Sequence, residues 1–128
     1  MTQPPDHLPG LHLLVDLWGG PHLADPAALE AALLGAAHSA GATVIASQFR
    51  AFPGHAGVTG MVLLAESHIS IHSWPELGFA AVDIFMCGTA NPHTACHHLV
   101  QALGAERVKI TEIRRGMDQR NQVSQPAL

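Results

Sequence analysis

Two helix-forming segments of similar design enclose a run of consecutive β-rich segments, and this order limits the possible folds more than any other feature. Residues 25–41 and 91–104 each begin with an Asp or Asn that can cap a helix, followed by a proline suited to the first helical position. Each segment ends at a glycine that can close the helix. In the first segment, small and aliphatic side chains also recur at helical spacing. We therefore predict two helices of moderate length.

The segments between and around these helices have the residue types and turn signals of β-strands. They are apolar or alternating, and short turns rich in Gly and Pro separate them. The predicted strands are 11–18, 42–52, 58–66, 68–74, 79–87 and 105–115. Consecutive strands joined by short turns imply an antiparallel sheet, with the helices collected on one face. The predicted fold is an α+β two-layer sandwich in a single domain, 1–128, with a flexible tail at 117–128.

The low charge content bears on what covers the surface of this domain. Charged residues make up only 12% of the chain, about half of the usual ~25%. Because so few charges cannot cover the whole surface of the domain, we expect another subunit to cover part of that surface. The net charge of −4 argues against a nucleic-acid partner. No signal peptide and no apolar run of about 20 residues is evident, which predicts a cytoplasmic protein without a membrane segment.

The stretch "AESHISIHSWPE", residues 65–76, concentrates the groups with chemical potential. His68 and His72 are four apart, a spacing that suits a metal on a helix. Their neighbours alternate at the strand period, however, and would place them ~13 Å apart, too far for one ion. Cys87 and Cys96 match no zinc module and make no disulfide framework. We therefore predict no metal site.

Ser67 is the candidate nucleophile of this stretch. It lacks the Gly-x-Ser-x-Gly turn of serine hydrolases. Alternatively, its hydroxyl can attack the preceding Glu66 carbonyl and convert the amide to an ester, with a histidine base and hydroxyl donors nearby. His72 and Thr59 are candidates for those groups, and Cys87 for a proton donor. The residues alone leave open the plainer interpretation of a turn serine beside two half-buried strand histidines.

Four motifs of the sequence, taken together, resemble one known family. "HLLVDLWG", "GVTG", "AESHISIHSWPE" and "GFAAVDIFMCG" occur with the order and spacing of the small prokaryotic S-adenosylmethionine decarboxylase proenzymes, over residues 11–115. The resemblance implies self-cleavage between Glu66 and Ser67, into a beta chain of residues 1–66 and an alpha chain of residues 67–128. Ser67 would become a covalently bound pyruvoyl group that forms a Schiff base with the substrate amine.

The resemblance also implies roles for individual residues. His72 would be the proton acceptor in processing and Thr59 a processing hydroxyl. Cys87 would be the proton donor in catalysis. Glu76 would contact the ribose of the substrate and Phe52 its adenine. His68 flanks the pyruvoyl position, where substrate contact and an ordinary strand histidine are equally compatible with the sequence.

The function implied by the resemblance is decarboxylation of S-adenosylmethionine, which makes the aminopropyl donor for spermidine, by a homodimer of cleaved protomers. In two places the sequence departs from the usual pattern of this family in a way that concerns the substrate. The turn "PGHAG" is about one residue longer than usual, and Leu77 and Met86 are expected to make the pocket rim more apolar. Decarboxylation of arginine or ornithine is therefore an alternative. A non-catalytic alternative is an uncleaved partner subunit.

Overall fold

In the part of the chain that the structure describes, the fold is a six-stranded antiparallel sheet with two helices on one face, as predicted. The computed structural model describes residues 10–54 and 56–117; of the predicted flexible tail, residues 118–128 lie outside this range. The elements are β1 (Gly10–Trp18), α1 (Pro26–Ser39), β2 (Val44–Ala51), β3 (Val58–Leu64), β4 (Ser67–Trp74), β5 (Phe79–Met86), α2 (Pro92–Leu103) and β6 (Arg107–Arg115). A short 3-10 turn, Pro75–Leu77, connects β4 to β5. The strands lie in the order β2-β3-β4-β5-β1-β6.

Both helices begin as their capping signals predict. The Asp25 side chain accepts hydrogen bonds from the backbone amides of Ala27 and Ala28, and the Asn91 side chain accepts the equivalent bonds at the start of α2. These bonds satisfy backbone donors that a helix start leaves unpaired. The helices approach closely at Gly35, where an added Cβ would collide with the His98 ring. Neither helix of the described chain has the length and apolar character needed to cross a membrane.

The core lies between the helices and one face of the sheet. Leu29 and Leu33 of α1 and Leu99 of α2 are fully buried against aliphatic side chains from the four inner strands. Burying each such side chain contributes roughly 1.5–3 kcal/mol. On β5 the residues that face this core are the even-numbered ones, 80 to 86.

The alternation on β5 overturns one expectation about the substrate pocket. Met86 is 1% exposed within the core, so the prediction that it lines a pocket rim is wrong. It is on the same face as Ile84 because side chains two apart on a strand point the same way. Leu77, in contrast, is 67% exposed in the turn before β5.

The sheet face opposite the helices, which we call the open face, is substantially apolar. Five large hydrophobic side chains on it are between 37% and 48% exposed: Leu14, Met61, Leu63, Trp74 and Ile113. An aromatic row crosses three of its strands, with Phe79 between Trp74 and Trp18 at ring distances of 5.4 and 5.5 Å. Large apolar side chains that are exposed together on one surface are typical of an interface.

A polar network interrupts the open face near its centre. The His12 Nε2 lies 3.1 Å from an Asp83 carboxylate oxygen, and the Ser70 hydroxyl donates to the other oxygen at 3.4 Å. Asp83 thus has partners on both neighbouring strands, one at each carboxylate oxygen.

Candidate functional site

The turn between β3 and β4 brings Glu66 and Ser67 to one end of the sheet. Leu64 and Ser67 are paired across the hairpin, so only Ala65 and Glu66 form the turn. Glu66 has a φ of 59°, in the left-handed region that non-glycine residues rarely adopt. Ser67 is the first residue of β4 and is only 8% exposed. The peptide bond between these two residues therefore lies at a tight and conformationally unusual position.

Cys87 contacts both partners of that peptide bond. Its thiol donates a hydrogen bond to the Glu66 carbonyl oxygen at 2.9 Å, and its backbone amide donates to the Ser67 hydroxyl at 3.3 Å. The thiol sulfur is also 3.6 Å from the Ser67 Oγ. Cys87 reaches this position because it directly follows β5, the strand paired with β4. One residue therefore polarises the carbonyl and orients the hydroxyl beside it.

A cavity of about 410 Å³ adjoins Ser67 and Cys87. Three loops enclose it, at residues 41–43, 65–67 and 87–90. Gly41 and Gly88 lie on its wall and have no atom within 4 Å of the position of an added Cβ. The site thus has free volume directly beside the Ser67 side chain, where a small molecule can approach.

Thr59 and His72 form a second cluster, away from Ser67. They are paired across β3 and β4, and the Thr59 hydroxyl lies 3.3 Å from the His72 Nδ1. His72 is five residues beyond Ser67 on an extended strand, a separation of about 16 Å. It also projects from the open face, whereas Ser67 has the parity of the core side. Sequence proximity suggested that His72 lies near Ser67, and the structure does not bring them together within one chain.

The three proposed substrate contacts divide between the same two ends of the sheet. Phe52, 51% exposed, follows β2 and borders a groove with Thr59 and Met61. Glu76 is exposed in the turn after β4, at the end of the sheet where His72 lies. His68 is next to Ser67 and stacks on Phe85 at 5.9 Å. The predicted residues thus form a Ser67 cluster with Cys87 and His68, and a His72 cluster with Thr59, Phe52 and Glu76.

The two cysteines differ in environment. Cys96 lies on the buried face of α2, and burial raises the pKa of its thiol. Cys87 is partly exposed at the site. Both are free, and only Cys87 is available for chemistry at Ser67. The sequence carried no signal for the Cys87 backbone amide as a donor, because an amide donor is set by strand register and not by residue type.

Comparisons with known proteins agree with one another. A family model described as S-adenosylmethionine decarboxylase matches residues 11–116. An S-adenosylmethionine decarboxylase proenzyme of Methanococcus maripaludis strain C7 is 39% identical over 119 residues, 91% of this chain and 97% of that protein. One from Clostridium tetani is 40% identical over 111 residues, 84% and 87% of the two chains. The crystal structure of the adenosylmethionine decarboxylase from Aquifex aeolicus superposes with a TM-score of 0.76 at 36% identity, covering 92% and 99%.

Proposed function

The chain belongs to the S-adenosylmethionine decarboxylase family, and we propose that it is a proenzyme that cuts itself between Glu66 and Ser67 and then decarboxylates S-adenosylmethionine. The observation that carries this proposal is the contact of Cys87 with both sides of the Glu66–Ser67 bond. A carbonyl that accepts a thiol hydrogen bond, beside a hydroxyl oriented by an amide, has the arrangement that an internal acyl shift needs.

The cleavage begins when the Ser67 hydroxyl adds to the Glu66 carbonyl carbon. The C–N bond breaks as the C–O bond forms, and the hydroxyl proton ends on the released amine, so an ester replaces the amide. A base then removes the Ser67 Cα proton, and the Glu66 carboxylate leaves. The dehydroalanine that remains takes a proton at its methylene carbon and becomes an imine; water then adds to the imine carbon and ammonia departs, which leaves the pyruvoyl ketone. The donor at the Glu66 oxygen stabilises the negative charge that develops in the first step.

The residues around Ser67 suit a pyruvoyl group at that position. Such a group supplies an electrophilic carbonyl that captures the substrate amine and accepts the electrons released with carbon dioxide. The adjoining cavity leaves room for the amino-acid end of a substrate. The Cys87 Sγ lies 3.6 Å from the Ser67 Oγ, close enough for the thiol to donate a proton to the product carbon.

We infer that the active protein is a homodimer, with the open face buried against a second copy. The exposed apolar side chains of that face, including Met61 and Leu63, support burial in an interface. The separation of His72 from Ser67 supports it independently, because a base must come within hydrogen-bond reach of the proton it takes. In a two-fold dimer, the His72 cluster of one subunit would complete the Ser67 cluster of the other. Phe52 and Glu76 would then contribute adenine and ribose contacts from the same side.

The product of this reaction retains an aminopropyl group activated on sulfur, which fits a donor for spermidine synthesis in the cytoplasm. Arginine and ornithine share the α-amino acid end, so the same chemistry applies to them in principle. Leu77 and Met86 were the two residues expected to make the pocket rim more apolar, which favoured these alternatives. Because Met86 is buried in the core, it does not contribute to that rim. S-adenosylmethionine is therefore the preferred substrate.

Carbon dioxide release tests the proposal. The purified protein is incubated separately with carboxyl-labelled S-adenosylmethionine, arginine and ornithine, with Ser67→Ala as the control that cannot form the pyruvoyl group. We expect release from S-adenosylmethionine alone, and none from the control. Release from arginine or ornithine instead would overturn the substrate assignment. Equal release by wild type and Ser67→Ala would overturn the pyruvoyl mechanism.

A further inference from the structure

Glu66 holds a backbone conformation that its residue type disfavours, at the bond proposed for cleavage. With φ at 59°, it is one of two non-glycine residues with positive φ in the described chain, the other being Ala56. In a two-residue turn such as this, a positive φ at the second position is normally taken by Gly or Asn. A left-handed conformation costs an ordinary L-residue free energy because its Cβ crowds the following carbonyl.

Contacts on both sides of the turn keep Glu66 in this conformation. The Ala65 amide donates to the Thr43 carbonyl at 2.9 Å, on the α1–β2 loop. The Cys87 thiol donates to the Glu66 carbonyl at 2.9 Å from the opposite side. The ladder between β3 and β4 fixes the residues before and after the turn. Strained conformations persist only where the surrounding structure determines them in this way.

The acyl shift changes the length of this turn. In the amide, one atom, the nitrogen, joins the Glu66 carbonyl carbon to the Ser67 Cα. In the ester, two atoms join them, the Ser67 Oγ and Cβ. The added atom loosens a two-residue turn whose ends are fixed by strand pairing. Glu66 can then leave the left-handed region, so the strain present in the amide is released as the ester forms.

We propose that Glu66 is a positioning residue whose left-handed backbone speeds self-cleavage by straining the turn that the acyl shift lengthens. This inference rests on the proposed function. The side chain is exposed, and the effect resides in the backbone: it depends on the presence of a Cβ at residue 66 and not on the carboxylate. Glycine at this position removes the strain at no steric cost.

The test compares Glu66→Gly with Glu66→Ala, which differ by one methyl group and both lack the carboxylate. Each variant is made by cell-free translation, and the fraction of cut chain is followed with time on denaturing gels. We expect Glu66→Gly to cut about fivefold more slowly than Glu66→Ala, from the cost of a left-handed L-residue. Equal rates, or faster cutting by Glu66→Gly, would overturn the inference.

Two controls separate strain from other effects. Ala56→Gly relieves the other left-handed non-glycine residue of the described chain, which is outside the turn that the acyl shift lengthens, and should cut at the wild-type rate. In the uncut Ser67→Ala background, Glu66→Gly should melt a few degrees higher than Glu66→Ala; a lower or equal melting temperature would contradict the strain. A wild-type chain that never cuts would instead refute the proposed function itself.

Discussion

Pairing a His72→Ala subunit with a Ser67→Ala subunit tests whether the cleavage site is shared between two chains. His72 lies about 16 Å along β4 from Ser67, whereas a general base must lie within about 3 Å of its proton or act through one water. Loss of such a base slows a reaction by about 10²–10⁴. His72→Ala alone should therefore remain almost uncut, and Ser67→Ala should not cut at all.

In a mixed dimer, the Ser67 of the His72→Ala chain would meet the intact His72 of the other chain. One of the two sites is then complete. Random assembly of equal amounts makes about half of the dimers mixed, so about half of the His72→Ala chains should be cut. Two different affinity tags allow the mixed dimer to be purified, and in that fraction every His72→Ala chain should be cut over time.

The control replaces the Ser67→Ala partner with a Ser67→Ala/His72→Ala double variant, which should rescue nothing. Denaturing gels with tag-specific detection identify which chain was cut. Purified mixed dimers in which the His72→Ala chain stays whole would refute the shared site. Normal cutting by His72→Ala alone would refute its role as the base.

Three further outcomes follow from the site and the core. Cys87→Ala should slow cleavage on gels by up to about tenfold, because one hydrogen bond from the thiol to the Glu66 carbonyl is lost, and should lower carbon dioxide release from cut chains by at least about 10²; unchanged turnover would exclude the proton-donor role. In the Ser67→Ala precursor, a thiol reagent at neutral pH should label Cys87 and spare Cys96, whose thiol is buried with a raised pKa; peptide mass mapping shows which cysteine reacts. In the same precursor, Met86→Ala should cost roughly 2–5 kcal/mol of unfolding free energy and Leu77→Ala under about 0.5, measured by urea titration; similar losses would contradict the burial difference.

The fold was predictable because its signals are local. The Asp25-Pro26 and Asn91-Pro92 steps mark the helix starts, and both side chains cap as expected. Short turns between apolar segments required antiparallel pairing, and the helices then had to share one face. These features depend only on residue type and on the spacing of apolar residues along the chain, and a sequence displays both directly.

The site was less predictable because it depends on strand geometry. His72 is near Ser67 in sequence, yet an extended strand separates residues five apart and gives their side chains opposite faces. Met86 was assigned to the pocket from its place in a motif, although the alternation of Val82, Ile84 and Met86 assigns it to the core. The left-handed Glu66 had no sequence signal at all, because Ala-Glu is not a typical turn dipeptide.

The mass of the purified protein under denaturing conditions shows whether the chain cuts itself between Glu66 and Ser67. Self-cleavage predicts two chains, one ending at Glu66 and one beginning at residue 67. It further predicts that the second chain is lighter than one with a serine amino terminus by the mass of one ammonia. In Ser67→Ala we expect one chain of 128 residues. A wild-type protein that remains a single full-length chain, or one cut at another bond, would contradict it.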